Sequence, residues 1–315
     1  MKLTLEVWPN MPWGRLEAAG PAWNSWGDLP LDECARRIAA SGYDGIDAIF
    51  GKIQAVRDHE YPAFKERFVG TLDELGLEFG FIGCHSTFVS PRHFDRERGV
   101  ATFKKAIDAA ADLGATSACS LLGDGYYDPP LSVLMSRAEA WEQAVTGVRD
   151  VCQHAEDRGV LVSIELLQGS ICNRVYLMER LFDDVDMPNL RATVDTGTFY
   201  TTVKPFMPVS EAIRRLGDRI DIVHIKDEIG LPSIVHTNHT WFGGGLVDFD
   251  EVRTSLEAID FDGYVSVEWE GWQAGGSIGV GEPGGLGLAD FDRVAVESKE
   301  FLEEFGFRSR RDQTK

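Results

Sequence analysis

Four short apolar runs between Leu161 and Glu268 set most of what this chain can become. They read LVSIE ending at Glu165, RATVD ending at Asp195, DIVHIKD carrying His224, and YVSVE ending at Glu268. Glu165 to Asp195 spans 30 positions, Asp195 to His224 spans 29, and His224 to Glu268 spans 44. About 30 residues is the length of one strand that returns through a helix to a parallel strand. Units of that kind bring distant strand ends to one edge of a sheet, so four polar residues far apart in sequence become neighbours. The longer last interval leaves room for an extra loop.

The remainder of the chain has the same rhythm. Leu3 to Trp8 reads as a first strand with Glu6 near its end, and GYDGIDAIF as a second strand ending near Asp47. LEFGFIGCH is a third, ending at His85, and ATSACSLLG a fourth. Helical spacing is expected over Leu31 to Ser41 with Asp28 as a cap, Tyr61 to Leu75, Phe94 to Leu113, Leu131 to Arg158, Val175 to Phe182, Val209 to Leu216, Phe249 to Ala258 and Leu288 to Glu304. Eight strands alternating with eight helices predict an α/β fold, a single closed (β/α)8 TIM barrel over residues 1–306, followed by a polar tail over 307–315. The Gly-rich stretch from Gly271 to Gly287 is expected to be a loop at the barrel mouth.

Composition narrows the function classes. A net charge of −20 repels nucleic acid phosphates and anionic membrane surfaces, so neither is an expected partner. The five cysteines are scattered and odd in number, which fits a reducing cytoplasm rather than a disulfide framework. No run is long and apolar enough for a signal peptide core or a membrane span.

Active sites of closed parallel barrels sit where the strands end. Side chains alternate along a strand, so Glu165 shares a face with Ser163, Asp195 with Thr193, and Glu268 with Ser266. Small residues beneath large polar ones suit a packed interior with a site on top. Two Glu, one Asp and one His form a mostly oxygen donor set, which suits Mn²⁺, Mg²⁺ or Co²⁺ better than Zn²⁺. Converging carboxylates without a cation would repel one another. The expected metal ligands are therefore Glu165, Asp195, His224 and Glu268, with manganese the first choice.

Other residues are candidates by position. His85 is placed as an acid, base or substrate contact, and Lys226, on the face of His224, as a group that steadies an oxyanion or forms a rim salt bridge with Asp227 or Glu228. Glu270 shares the face of Glu268. His236 and His239 fall in a loop suited to substrate contact or to solvent. Trp8, Trp13, Trp23, Trp26, Trp241, Trp269 and Trp272 fall mostly in predicted mouth loops, where aromatic faces suit sugar C–H faces or flat rings; Trp8, Trp241 and Trp269 are the substrate-binding candidates.

The C-terminal half resembles the xylose-isomerase-like TIM barrels, the superfamily of sugar phosphate isomerases and epimerases. The carrying residues are SIELL around Glu165, TVDTG around Asp195, VHIKD around His224, GGGLVDF at Gly243 to Phe249, and GYVSVEWEG around Glu268. The resemblance implies one divalent ion on those four ligands, with Glu165 and Glu268 moving a proton on and off carbon from opposite faces. Two positions depart from the ketose 3-epimerase pattern: Thr198 stands where a D-x-x-H motif would place histidine, and no arginine follows His224. Both point away from a free ketose. The expected substrate is a sugar or glycoside. Isomerase or epimerase chemistry and the lyase chemistry of the same superfamily, either an inosose dehydratase or the metal-bearing subunit of a C-glycoside deglycosidase with a small accessory partner, all begin with the same proton removal. A non-catalytic sugar-binding barrel is the alternative from another class. A homo-oligomer is expected.

Overall fold

The computed structural model describes residues 1–9, 26–123, 134–167, 170–201, 207–228, 239–269 and 290–309. Eight parallel strands close into a barrel: β1 (Lys2–Val7), β2 (Gly45–Ile49), β3 (Glu78–Gly83), β4 (Ser117–Ser120), β5 (Leu161–Glu165), β6 (Leu190–Asp195), β7 (Ile220–Ile225) and, last, β10 (Tyr264–Val267), which pairs with both β7 and β1. Two further short strands, β8 (Asp227–Glu228) and β9 (His239–Thr240), pair antiparallel outside the barrel. This is the (β/α)8 barrel that the strand spacing predicts.

Helices return the chain between strands, and their ends follow local chemistry. Gly76 and Gly114 stop the helices Tyr61–Leu75 and His93–Leu113 with φ of 60° and 83°, a conformation costly for any residue with a Cβ. The helix Arg137–Glu156 starts on a capping box: Ser136 Oγ accepts from Glu139 N, and the Glu139 carboxylate accepts from Ser136 N. This box sets the start at Arg137; residues 131–133, where the predicted helix begins, lie outside the described residues. Asp28 does not cap the first helix, Leu31–Ala40; Pro30 holds that position with no side-chain hydrogen bond. Phe307 is fully buried in the core, so packing extends past the last helix, Phe291–Glu304. Among the described residues no helix is long and apolar enough to cross a membrane.

Alternation along the strands separates two interiors. Leu3, Leu5, Val7, Val162, Ile164, Ala192, Val194, Val223, Ile225, Val265 and Val267 face outward and join the helices in one large apolar core. The inner faces are largely polar, and their apolar part reduces to a small cluster of Phe81, Cys119 and Ile222. Ser163, Thr193 and Ser266, the small residues predicted beneath the site, are fully buried there. Ser163 Oγ lies 2.7 Å from Thr193 Oγ1, and Ser266 Oγ donates to Asp47 Oδ2 at 2.7 Å.

Asp47 is fully buried inside the barrel and also accepts from Phe81 N at 3.1 Å. Burial pushes its carboxyl up to about 6, against partial relief from hydrogen bonds. An ordinary unfolded aspartate titrates near 3.9. The folded state therefore holds the proton more tightly, and stability is full below about pH 4 and is lost as pH rises through about 6. Asp47→Asn keeps a carbonyl for Phe81 N and offers an N–H to Ser266 Oγ. It is expected to stabilise the protein by about 2–3 kcal/mol at pH 8, with the gain vanishing near pH 4. Melting temperatures across that range check this; a shift of equal size at both ends would contradict it.

Candidate active site

The ends of β5, β6, β7 and β10 place Glu165, Asp195, His224 and Glu268 in one buried cluster, each no more than about a twentieth exposed. The strand register accounts for this. Asp195 pairs with His224 across β6 and β7, while His224 pairs with Ser266, one pleat below Glu268. Ligand atoms of Glu165, Asp195 and Glu268 lie within 4.8 Å of one another, and so do those of Glu6, His224 and Glu268. Glu268 belongs to both groups.

His224 Nδ1 lies 3.1 Å from Glu165 Oε1 and 3.0 Å from Glu268 Oε2. Lys226 Nζ lies 3.1 Å from Asp195 Oδ2 and 2.6 Å from Glu268 Oε2. The Lys226 ammonium thus sits among the expected ligands. Asp195 is also held by Gly197 N, which donates to Oδ1 at 2.8 Å, and by Thr198 Oγ1, which donates to Oδ2 at 3.1 Å. The threonine at the place of the epimerase histidine therefore orients Asp195.

Glu6, on β1, is the site residue that motif reading left unassigned. It is buried, and Trp8 Nε1 donates to its Oε2 at 2.8 Å. A Cβ on Gly83 would lie 3.0 Å from Glu6 Oε1, so the missing side chain there leaves the carboxyl its room. A signal was present: LTLE, like LVSIE, is an apolar run that ends on a carboxylate.

Burial dominates the charge states. It raises Glu6 well above the usual carboxylate range, with the nearby Glu268 charge adding to the effect. It pushes Asp195 up to about 6, even with Lys226 alongside. Burial also works against charge on Glu268, but Lys226 and His224 outweigh it and hold that carboxyl well below its usual value. His224 is penalised by burial and raised by Glu268 and Glu165, with the second effect winning.

The donor set fits a divalent cation. Glu6, Glu165, Asp195 and Glu268 bring four carboxyl groups to the Lys226 ammonium and the His224 imidazole. Among the described residues none hydrogen-bonds the buried His224 Nε2, although buried polar nitrogens are ordinarily paired. Several oxygens and one imidazole suit Mn²⁺, Mg²⁺ or Co²⁺.

The aromatic candidates divide. Trp8 is buried and holds Glu6, with its ring 5.2 Å from that of exposed His85. Trp26 is fully buried against Phe291, so it packs the fold rather than the mouth. Trp241 and Trp269 form a pair with ring centroids 4.4 Å apart, and Trp241 is 38% exposed. Trp13, Trp23, Trp272, His236, Glu270 and the Gly271 to Gly287 stretch lie outside the described residues, as does the side chain of His239.

Asp227 explains why two separate motifs occur together. It is buried and accepts from four backbone amides: Glu228 N at 2.9 Å, Gly243 N at 2.9 Å, Gly245 N at 2.9 Å and Val247 N at 3.1 Å. A Cβ on Gly245 would lie 2.2 Å from Asp227 Oδ1. The aspartate of VHIKD thereby folds GGGLVDF back beside the site.

A family model for the xylose isomerase-like TIM barrel matches residues 35–302. The chain belongs to this family. Its similarity to an inosose dehydratase of Bacillus thuringiensis (strain Al Hakam) is 23% identity over 313 residues, covering 92% of this chain and 96% of the relative. Among solved structures, 3-keto-D-glucoside 4-epimerase from E. coli superposes with a TM-score of 0.70 at 17% identity, covering 96% of this chain and 99% of that one. A probable 3-DHS dehydratase from Bacillus anthracis superposes at 0.68 with 15% identity, covering 98% and 100%. These likenesses concern the family and the fold, and family members carry out both epimerisation and dehydration.

Proposed function

We propose that this chain is a divalent-cation-dependent enzyme that removes a proton from carbon beside a carbonyl of a sugar or keto-sugar. The observation that carries this reading is the convergence of Glu165, Asp195, His224 and Glu268 from four strands into one buried cluster. Those four residues would hold the cation, and Mn²⁺ is the ion we favour. When bound, the cation supplies Lewis acidity, so that a carbonyl bears the negative charge left when a neighbouring C–H is lost.

Glu165 and Glu268 reach His224 Nδ1 from β5 and β10, which supports reading them as the two proton-carrying carboxylates. One takes the proton and the other returns one, the role a positioned carboxylate plays in general acid–base catalysis. Trp241 is the exposed ring of the pair and the one we expect a substrate to meet, with Arg293 4.6 Å over it; Trp269 is buried and packs against it.

Elimination from the same first step is the second reading. It is favoured by Thr198, a threonine bound to Asp195 where the epimerase pattern has histidine, and by the dehydratase relative that spans nearly the whole chain. The substrate would then be an inosose or a 3-keto-glycoside; for the latter, a small accessory subunit is part of the reading. We also expect a cytoplasmic homo-oligomer.

Incubation in heavy water with a panel of sugars, inososes and 3-keto-glycosides tests both readings. Deuterium should enter the substrate carbon, exchange should stop on EDTA treatment and return with Mn²⁺, and elimination should appear as loss of a water or an aglycone. His224→Ala should lower the bound metal per chain on elemental analysis. Ligand binding with no exchange and no metal dependence would make the barrel a sugar-binding module.

A further inference from the structure

We propose that Lys226 is a built-in counter-cation that a divalent ion has to displace from Asp195 and Glu268, and that loading thereby frees its ammonium for a substrate oxygen. The inference rests on the cation-dependent reading of this same site and concerns how the site changes when the ion enters.

The geometry of two oxygen atoms carries it. A carboxylate offers about four lone-pair sites, two on each oxygen. Asp195 Oδ2 already accepts from Thr198 Oγ1 and from Lys226 Nζ, each at 3.1 Å. Glu268 Oε2 already has His224 Nδ1 at 3.0 Å and Lys226 Nζ at 2.6 Å. Lys226 is the cationic group common to these two buried oxygens. A divalent cation bound through both would lie within a few ångströms of that ammonium and would repel it strongly in a buried setting.

The lysine is also the partner built to move. His224 is itself an expected ligand, and Thr198 has a short side chain in the helix Thr198–Thr201. Lys226 has a four-carbon stem with rotatable bonds and a compact charge. A Cβ on Gly197 would lie 3.0 Å from Lys226 Cγ, so the glycine leaves the base of that stem its space. Lys226 follows the end of β7 on the side of the barrel where substrate enters, so the displaced ammonium remains at the site. There it can meet an oxygen that gains negative charge. The Lys226 ammonium thus balances charge in the ion-free site and contacts substrate in the loaded one.

Two measurements test this without reference to turnover. Titration calorimetry with MnCl₂ at one fixed pH should show Lys226→Met binding Mn²⁺ tighter than wild type by about tenfold or more, the scale expected when a competing buried charge is removed. In the wild-type protein, acetylation of Lys226 by an amine-reactive ester, followed by peptide mass spectrometry, should be slow after EDTA treatment and faster with saturating Mn²⁺. The labelling arm uses the native chain, so it stands even if Lys226→Met does not fold. Equal or weaker Mn²⁺ affinity in the variant, or labelling that Mn²⁺ leaves unchanged, would overturn the displacement and leave the cation-dependent reading intact. A wild-type chain that takes up no Mn²⁺ at all would overturn both.

Discussion

Glu268→Gln should lower metal-dependent hydrogen–deuterium exchange by about a thousand-fold, within the range a positioned acid or base contributes. The effect is expected to be this large because Glu268 joins the two donor groups of the site. It also meets both His224 and Lys226. The amide keeps the shape but loses the charge, and it cannot accept a proton from carbon. Glu165→Gln should give a similar loss of exchange, because the partner carboxylate on β5 is removed. The two variants should differ in the lysine. Glu165→Gln leaves both ion pairs of Lys226 in place, whereas Glu268→Gln leaves only that to Asp195. Exchange near the wild-type rate in Glu268→Gln would remove Glu268 from the proton-carrying pair.

Asp227→Ala should destabilise the fold by about 3–5 kcal/mol, since each buried donor left unpaired costs about 1–3 kcal/mol and water relieves part of the total. Four amides lose their acceptor in one step: those of Glu228, Gly243, Gly245 and Val247. The melting temperature should fall by roughly ten degrees. Asp227→Asn retains one carbonyl oxygen and should recover about half of the loss. Exchange activity should drop as well, because Asp227 adjoins Lys226 and its loop carries Trp241, which packs on Trp269. A shift under about 1 kcal/mol in thermal or denaturant unfolding would mean that the loop is held by other contacts.

The barrel and the meeting of four polar residues at its rim are legible in the sequence because two short-range rules act on them directly. The return length of a strand–helix unit places successive strands side by side, and the two-residue alternation of a strand fixes which face each side chain takes. From these, Glu165, Asp195, His224 and Glu268 could be placed at one rim with Ser163, Thr193 and Ser266 below them. Glu6 carried the same local signature on β1 but stood outside the recognised motifs, and only barrel closure makes β1 a neighbour of β10. The start at Arg137 lies in the Ser136–Glu139 capping box and not in the apolar spacing, because an apolar pattern marks a buried face whereas a cap marks an end.

The sequence by itself determined the order of the elements, the inward direction of the polar side chains and the kind of chemistry their donor atoms allow. Tertiary structure alone decided which of those groups touch. Lys226 was open to several partners along its strand, and its pairing with Asp195 and Glu268 followed from the stagger of β6, β7 and β10. The tryptophans, alike as letters, separated into one that holds Glu6, one that packs the core and a pair near the entrance. The physical reason is that local sequence sets backbone conformation and side-chain direction, which extend over a few residues. Electrostatic pairing depends on distances of a few ångströms between segments far apart in the chain, and those distances exist only once the ring of strands has closed.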